Sequence, residues 1–584
     1  MTEPTPSLHP GFATRHADFS VIAEALDFAA RGPTGINFYS GKGILTEVLP
    51  YRVLREQAVD LARRMIAAGL EPGDRVGLVA ESDGDFVRAF FACQYAALVP
   101  SPLPLPVAFG GRDGYVSHLR RLIDSADVAA VFVPTTLEAW LGDIVSGFDL
   151  KIAGTLAPLY EIEPVPGELP KQDPDGLSYL QFSSGSTRFP LGIAVTQRAF
   201  MANASSISHD GLGITDGDRA ISWLPFYHDM GLVGFLLTPM TCQMSLDIIP
   251  TREFARRPLL WLNLISRNRC TVSYSPSFGY DLCARRAETA STQGIDLSSW
   301  RSAGVGGDMI RPSVLTRFVE RFAACGFDGG AFVPSYGMAE ATLGLSFMPA
   351  GRGALTDTVD GAMLEDGRRA IPTSDPTVRT RTFMMCGTML PGHDVEVRDE
   401  AGNVLPDRHV GRILVRGPSL MTCYFDAPEE TARVITEDGW LDTGDLGYLV
   451  DGQIVITGRA KDLIIVNGRN LWPQDLEWTA EAEVAALRSG DVAVFSVDGE
   501  TDEEVVALVQ CRTADPIARA ALANEIGNIF RGRHGLVSNI VLVPPHSLPQ
   551  TSSGKLSRSR ARMMYLADAF SKIPATVAAE AAAE

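Results

Sequence analysis

Between residues 53 and 70 the chain reads VLREQAVDLARRMIAAGL, with apolar side chains returning every three or four positions. That spacing lines one face of a helix. RVGLVA (75–80) and VAAVFVP (128–134) are short β-branched runs between such helical segments, as expected of strands covered on both faces. Repeated alternation of this kind predicts mostly parallel sheets flanked by helices. From about Cys386 the texture changes to DVEVRDEAGNVL, GRILVRG and GYLVDGQIVITGR, short strands punctuated by turns that predict a small β-rich subdomain. After TGRAKD (457–462), helical and strand patterns alternate again in PQDLEWTAEAEVAAL, VAVFSV and VVALVQC, so a small α+β domain is expected there. The final PATVAAEAAAE is low in complexity and is expected to be disordered.

With 584 residues, 46% of them hydrophobic, the chain can bury more than one core. Its net charge of −19, from 51 basic and 70 acidic residues, comes with no basic block. That argues against nucleic acid or an anionic membrane as the main partner. The eight cysteines are scattered, with no C-x-x-C pair, and read as reduced thiols of a cytoplasmic protein rather than as zinc ligands. The first twenty residues lack a basic segment followed by an apolar one, so no secretory signal is expected. FFACQYAALVPSPLPLPVAF is broken by prolines and MGLVGFLLTPM is too short to span a bilayer, so stable membrane insertion is not expected.

The run QFSSGSTRFPLG (181–192) lies between the strand-like LSYLQF and GIAVT, with the helix-like QRAFMANASSI following. A Walker A loop opens directly into a helix and carries a lysine; this run does neither. Ser183, Ser184, Ser186 and Thr187 around Gly185 offer hydroxyl and backbone N–H donors on a chain that can turn sharply, which suits a polyphosphate. Alone, the run reads first as a polar loop.

Five further stretches follow in order: LPFYHDMGL (224–232), YGMAE (336–340), WLDTGDLG (440–447), GRAKDLIIVNGRNLWPQDLE (458–477) and SSGKLSR (552–558). With the loop, these motifs span most of the chain, which resembles the adenylate-forming superfamily of acyl-CoA synthetases, luciferases and nonribosomal adenylation domains. The resemblance implies an α/β fold. It comprises a large N-terminal domain of two doubly wound α/β subdomains with a small β-rich subdomain (1–458), a hinge (459–462) and a small mobile α+β C-terminal lid (463–573), with the tail at 574–584.

Each motif residue then acquires a role beside a plainer alternative. Tyr336, with Gly337 and Met338, is expected to hold adenine, and Glu340 to bind Mg²⁺ together with Thr187, because a hard cation bridging phosphates wants carboxylate and hydroxyl oxygens. The plainer reading is an aromatic beside a first-turn glutamate. Asp445 can accept from both ribose hydroxyls, with Arg459 beside it, or can simply form a turn. Asp229 could be a helix N-cap, whereas the resemblance places His228 at the carboxylate end of an acyl site. Lys555 is the catalytic candidate, an ammonium between an attacking carboxylate and the α-phosphate; without the other motifs it is an exposed turn lysine. Lys461 matches the family's hinge position, or is an ordinary surface lysine.

Most CoA ligases of the superfamily end the phosphate loop in T-G-x-P-K-G. Here TRFPLG places Arg188 and Leu191 at the glycine and lysine positions. With YSPSFGYDLC (274–283), this variant is similar to the fatty acyl-AMP ligases, whose mark is an insertion that hinders transfer to CoA. The polar, Gly-rich 351–383 reads as that insertion, an extra surface segment, or as a longer loop in a CoA ligase. Where those ligases have Gly-Ala-Glu, this chain has GVGGDMIRP: either Asp308 replaces the glutamate near adenine or the nucleotide contacts differ there. The resemblance implies a fatty acid and ATP as substrates, with Mg²⁺, and acyl-AMP and pyrophosphate as products. It further implies an acyl carrier protein's phosphopantetheine thiol as acceptor, feeding lipid or polyketide-type biosynthesis. Met230, Gly231, Leu232 and Phe278 are expected to wall an acyl tunnel. A CoA-using ligase is the near alternative, and a non-enzymatic acyl- or nucleotide-binding protein the distant one.

Overall fold

The computed structural model describes residues 3–7, 13–106, 111–183, 190–466, 469–498, 503–551 and 555–570. The expected tail therefore lies outside the described residues. The helix predicted from residue 53 spans Tyr51–Ala67 and buries Leu54, Ala58, Leu61, Ala62 and Met65 along one face. The two β-branched runs are the strands Arg75–Val79 and Val128–Phe132. They sit in a four-stranded parallel sheet with Val99–Leu103 and Ile152–Gly154 at its edges.

A second set of parallel strands runs in the spatial order Gly35–Tyr39, Ser245–Ile248, Arg219–Ser222, Val272–Ser275, Ser302–Val305, Phe332–Gly337. The β-rich part is not a separate sheet. From Phe332–Gly337 the pairing turns antiparallel and continues through Gly344–Phe347, Thr380–Met389, Gln453–Arg459, Leu441–Val450, Gly411–Arg416 and Asp394–Arg398. Fourteen strands are joined in this way among the described residues. The change from parallel to antiparallel falls at the motif YGMAE, so the carboxyl ends of the parallel strands open onto the β-rich half. In open α/β sheets such a crevice is where ligands bind.

The segment after residue 462 forms its own antiparallel and parallel pairings, Val492–Asp498 with Glu503–Gln510 and Glu503–Gln510 with Ser538–Val543, packed on the helices Pro473–Glu483 and Pro516–His534. Among the described residues no helix is long and apolar enough to cross a membrane.

The polar stretch 351–383 is more than an extra surface segment. It folds into the strand Thr356–Asp360, the helix Gly361–Gly367 and the start of Thr380–Met389. Val359, Leu364, Ala370 and Phe383 share a buried cluster with Trp472 of the C-terminal part. The apolar spacing was too sparse to announce a core; Trp472, about a hundred residues away in the chain, completes it. Charges close the same interface. The buried carboxylate of Glu365 takes Arg379 and Arg469, each at 2.6 Å. The Arg381 guanidinium lies 4.3 Å from the Trp472 ring and 2.7 Å from Asp475. Nearer the site, Arg311 pairs with Glu481 at 2.7 Å and sits over Trp478.

Candidate active site

A cavity of about 330 Å³ opens at the carboxyl ends of the parallel strands. Its polar end brings together Ser183, His228, Asp229, Tyr336, Gly337, Met338, Glu340, Asp445, Arg459 and Lys555. Its apolar arm is walled by Ile207, Leu212, Ile214, Phe235, Met244, Val272, Tyr274 and Phe347. One space thus joins charged groups to a greasy channel, the pairing that a carboxylic acid with an alkyl tail requires.

Local backbone chemistry sets the polar end. Ser183 closes the hairpin formed by Leu177–Phe182 and Gly192–Thr196: its N–H donates to the Leu191 carbonyl at 2.9 Å, and its hydroxyl accepts from the Leu191 N–H at 3.2 Å. Ser184, Gly185, Ser186, Thr187 and Arg188 lie outside the described residues. Glu340 sits in the short turn Ala339–Ala341, and Tyr424 donates its phenol to Oε1 at 2.9 Å. Burial pushes the Glu340 carboxyl up from its ordinary range, and no lysine or arginine is within ion-pair distance of it among the described residues. A desolvated carboxylate without a cation is a fitting place for a hard metal ion shared with phosphate oxygens. Two residues on, Thr342 is buried at φ +69°, a costly conformation for a β-branched residue. Its hydroxyl donates to the Ser419 carbonyl at 2.7 Å, which helps hold the bend that carries Glu340.

Asp445 and Arg459 face each other across paired strands, 3.4 Å apart, and Tyr336 donates to Asp445 Oδ2 at 2.7 Å. Burial raises the Asp445 carboxyl against the opposing pull of Arg459, Tyr336 and Lys555. At the junction of the two ends, His228 Nδ1 lies 2.5 Å from Asp229 Oδ1. Burial works to raise the Asp229 carboxyl, but His228, Lys555 and the Met230 N–H outweigh it and hold the carboxyl below its usual range. Asp229 is the first helical residue and His228 the cap, so Asp229 serves the site rather than capping the helix. The Thr551 N–H donates to the Lys555 carbonyl at 2.8 Å. The C-terminal part thereby delivers a cation into a cavity built by the N-terminal part.

Several expected wall residues lie elsewhere. Met230 faces the cavity and Gly234, one turn on, joins it, whereas Leu232 projects about 200° around the helix from Met230 and is fully buried in the core. Gly231 is also outside the lining: a Cβ there would meet the Pro225 carbonyl oxygen at 2.1 Å, so glycine permits close packing. Phe278 packs edge-on to Trp223 in an aromatic cluster. Asp308 is exposed, accepting from the Met309 N–H, while the backbone of Gly306 and Gly307 lines the cavity in its place. Lys461 is exposed in the turn Ala460–Asp462 and is not on the lining.

Sequence reasoning missed Tyr424, Gln181, Tyr274 and the whole apolar arm. Much of that arm is shaped by two π-helical segments, Ile207–Gly211 and Val233–Leu237. Wider helical turns of this kind are frequent at functional sites. In the sequence neither ISHDG nor VGFLL announces a departure from ordinary helix.

The family model for AMP-binding enzymes matches residues 38–425. The chain belongs to the adenylate-forming family of AMP-binding enzymes. A Caulobacter vibrioides protein named "Putative acyl-CoA synthetase" is 55% identical over 95% of this chain and 97% of its own. The Mycolicibacterium smegmatis long-chain-fatty-acid–AMP ligase FadD32 is 32% identical over 86% and 87%. A solved structure from studies of fatty acyl-adenylate ligases of E. coli and L. pneumophila superposes with a TM-score of 0.91 at 42% identity, covering 95% of this chain and 99% of the other. Within the adenylate-forming family, this enzyme groups with the fatty acyl-AMP ligases.

Proposed function

We propose that this adenylate-forming enzyme joins a fatty acid to ATP and then hands the acyl group to the phosphopantetheine thiol of a carrier protein. A carboxylate oxygen attacks the α-phosphorus, the bond to the β-phosphate oxygen breaks, and pyrophosphate leaves with that electron pair. In the second step the thiolate sulfur attacks the acyl carbonyl carbon, a C–S bond forms, and AMP departs with the electrons of the C–O bond. The reading is carried by one observation: Lys555, from the C-terminal part, lines the same cavity as Glu340, Asp445 and Arg459.

In this scheme the Lys555 ammonium lies between two anions that would otherwise repel, in a site partly stripped of water where its charge counts for more. Asp445 and Arg459 hold the ribose, Tyr336 through Met338 the adenine, and Ser183 with the loop beyond it the outer phosphates. His228, steadied by Asp229, meets the substrate carboxylate, and the apolar arm takes the alkyl chain. Glu340 and Thr187 would hold Mg²⁺, which when bound neutralises phosphate charge. The swing proposed about 459–462 exchanges this arrangement for the thioester-forming one. Glu365, Arg381 and Trp472 tie the 351–383 segment to the C-terminal part; this supports restricted swinging and a poor response to CoA.

The test is mass spectrometry of products from purified protein, MgATP and C8 to C18 fatty acids, with and without CoA. Acyl-AMP that persists when CoA is added is the expected result. Conversion to acyl-CoA would favour a CoA ligase, the activity carried in the name of the Caulobacter relative, and absence of any adenylate would overturn the proposal.

A further inference from the structure

Among the described residues, four cations line the cavity: Arg412, Arg433, Arg459 and Lys555. Arg412 is matched by Asp442 at 3.0 Å and Arg459 by Asp445 at 3.4 Å, while Lys555 arrives with the C-terminal part. Arg433 differs from all three. Its guanidinium lies 3.8 Å from Glu429 and 3.9 Å from Glu430, beyond hydrogen-bond reach, and its side chain is 70% exposed. Loose pairs of this kind on one helix contribute little, so the charge is available to a ligand in the cavity.

The place of Arg433 in the fold says which ligand. The strand Cys423–Tyr424 pairs with Gly192–Thr196, the outgoing arm of the phosphate-loop hairpin, and the Phe425 N–H donates to the Gly192 carbonyl at 2.7 Å. The helix Pro428–Val434 is fastened to that strand through Thr431, whose hydroxyl accepts from the Tyr424 N–H at 3.0 Å. The phenol of the same tyrosine bonds Glu340. Arg433 is therefore carried on an element anchored both to the stem of the SSGSTR loop and to the carboxylate suited to the metal. The loop itself has no lysine.

Resting on the function proposed above, we infer that Arg433 is a ligand of the β- and γ-phosphates of ATP and of the departing pyrophosphate. It supplies from the β-rich half a positive charge that a lysine would otherwise bring from the loop. Arginine suits the task because its planar fork can grip two phosphate oxygens at once. AMP lacks those two phosphates, so Arg433 discriminates ATP and pyrophosphate from AMP.

Calorimetric titration of full-length wild type, Arg433→Ala, Arg433→Lys and Arg188→Ala with MgATP, magnesium pyrophosphate and AMP tests this. Arg433→Ala should weaken ATP and pyrophosphate binding by roughly 10- to 100-fold, as loss of a charge-assisted hydrogen bond does, with AMP affinity within twofold. Arg433→Lys should recover part of the loss. Equal weakening for all three ligands, or loss only in Arg188→Ala, would overturn the assignment. Acyl-AMP synthesis by the wild type is measured separately: its absence would sink the function proposed above while leaving the phosphate-binding result to stand or fall on its own.

Discussion

At the ribose end of the cavity a single phenol carries a measurable consequence. Tyr336 donates 2.7 Å to a buried Asp445 whose carboxyl burial has already raised. A carboxylate that must be charged to accept ribose hydroxyls loses its function as pH falls through its pKa. Tyr336→Phe removes a donor that favours the charged form, so the pKa should rise further and the acid limb of activity should begin at higher pH. We expect kcat/KM for ATP to fall roughly 10-fold or more, with the acid limb of its pH profile shifted upward. An unshifted limb would separate Tyr336 from Asp445. The buried Thr342 at φ +69° belongs to the same scale: local strain is kept where it places Glu340.

At the scale of elements, strand register gives the depth of the acyl arm. Val272, Ala220 and Leu246 are level with one another across three adjacent parallel strands. Tyr274 lies two residues above that level and Met244 two below, so the arm descends about 13 Å between them at strand rise. We take Met244, at the lower end of that span, as its floor. Met244→Ala should shift the preferred fatty acid to longer chains, and Met244→Trp to shorter ones, measured as kcat/KM across C8 to C18 acids. An unchanged profile in both variants would place the floor elsewhere. This arm also marks the limit of what the sequence discloses. The helix from Tyr51, the hairpin around the SSGSTR loop and the motifs of the polar end were legible because period, turn chemistry and spacing are local. Met244, Ile214 and Tyr274 were not, since they meet only through sheet order and π-helical bends. Leu232 and Phe278 were misplaced for the same reason: an apolar residue beside a motif can face either the tunnel or the core, and only packing decides.

At the scale of the whole molecule, the C-terminal part meets the 351–383 segment through Arg469, Trp472 and Asp475. His534, at the end of Pro516–His534, lies 3.0 Å from the Thr479 hydroxyl. Burial, reinforced by Arg379, Arg381 and Arg469 and opposed by Glu365, pushes its imidazole from 6.5 down to about 4. The unfolded chain takes up a proton near pH 6.5 while the folded one refuses it until about pH 4. His534 therefore leaves stability intact above pH 6.5 and erodes it as pH falls through that window, by up to roughly 1.4 kcal/mol per pH unit. His534→Gln should show a shallower loss of unfolding free energy between pH 7 and 5 than the wild type. Equal slopes would remove His534 from the account.

Everything in the proposed reaction turns on Lys555 reaching a cavity made by another part of the chain. Its most direct test is fatty-acid-dependent exchange of label between pyrophosphate and ATP, measured for the wild type and for Lys555→Ala alongside ATP binding. Exchange by the wild type is expected, with a loss of roughly 10²- to 10³-fold in the variant and ATP affinity changed only a few-fold. Undiminished exchange without the lysine, or none in the wild type, would contradict the proposed reaction.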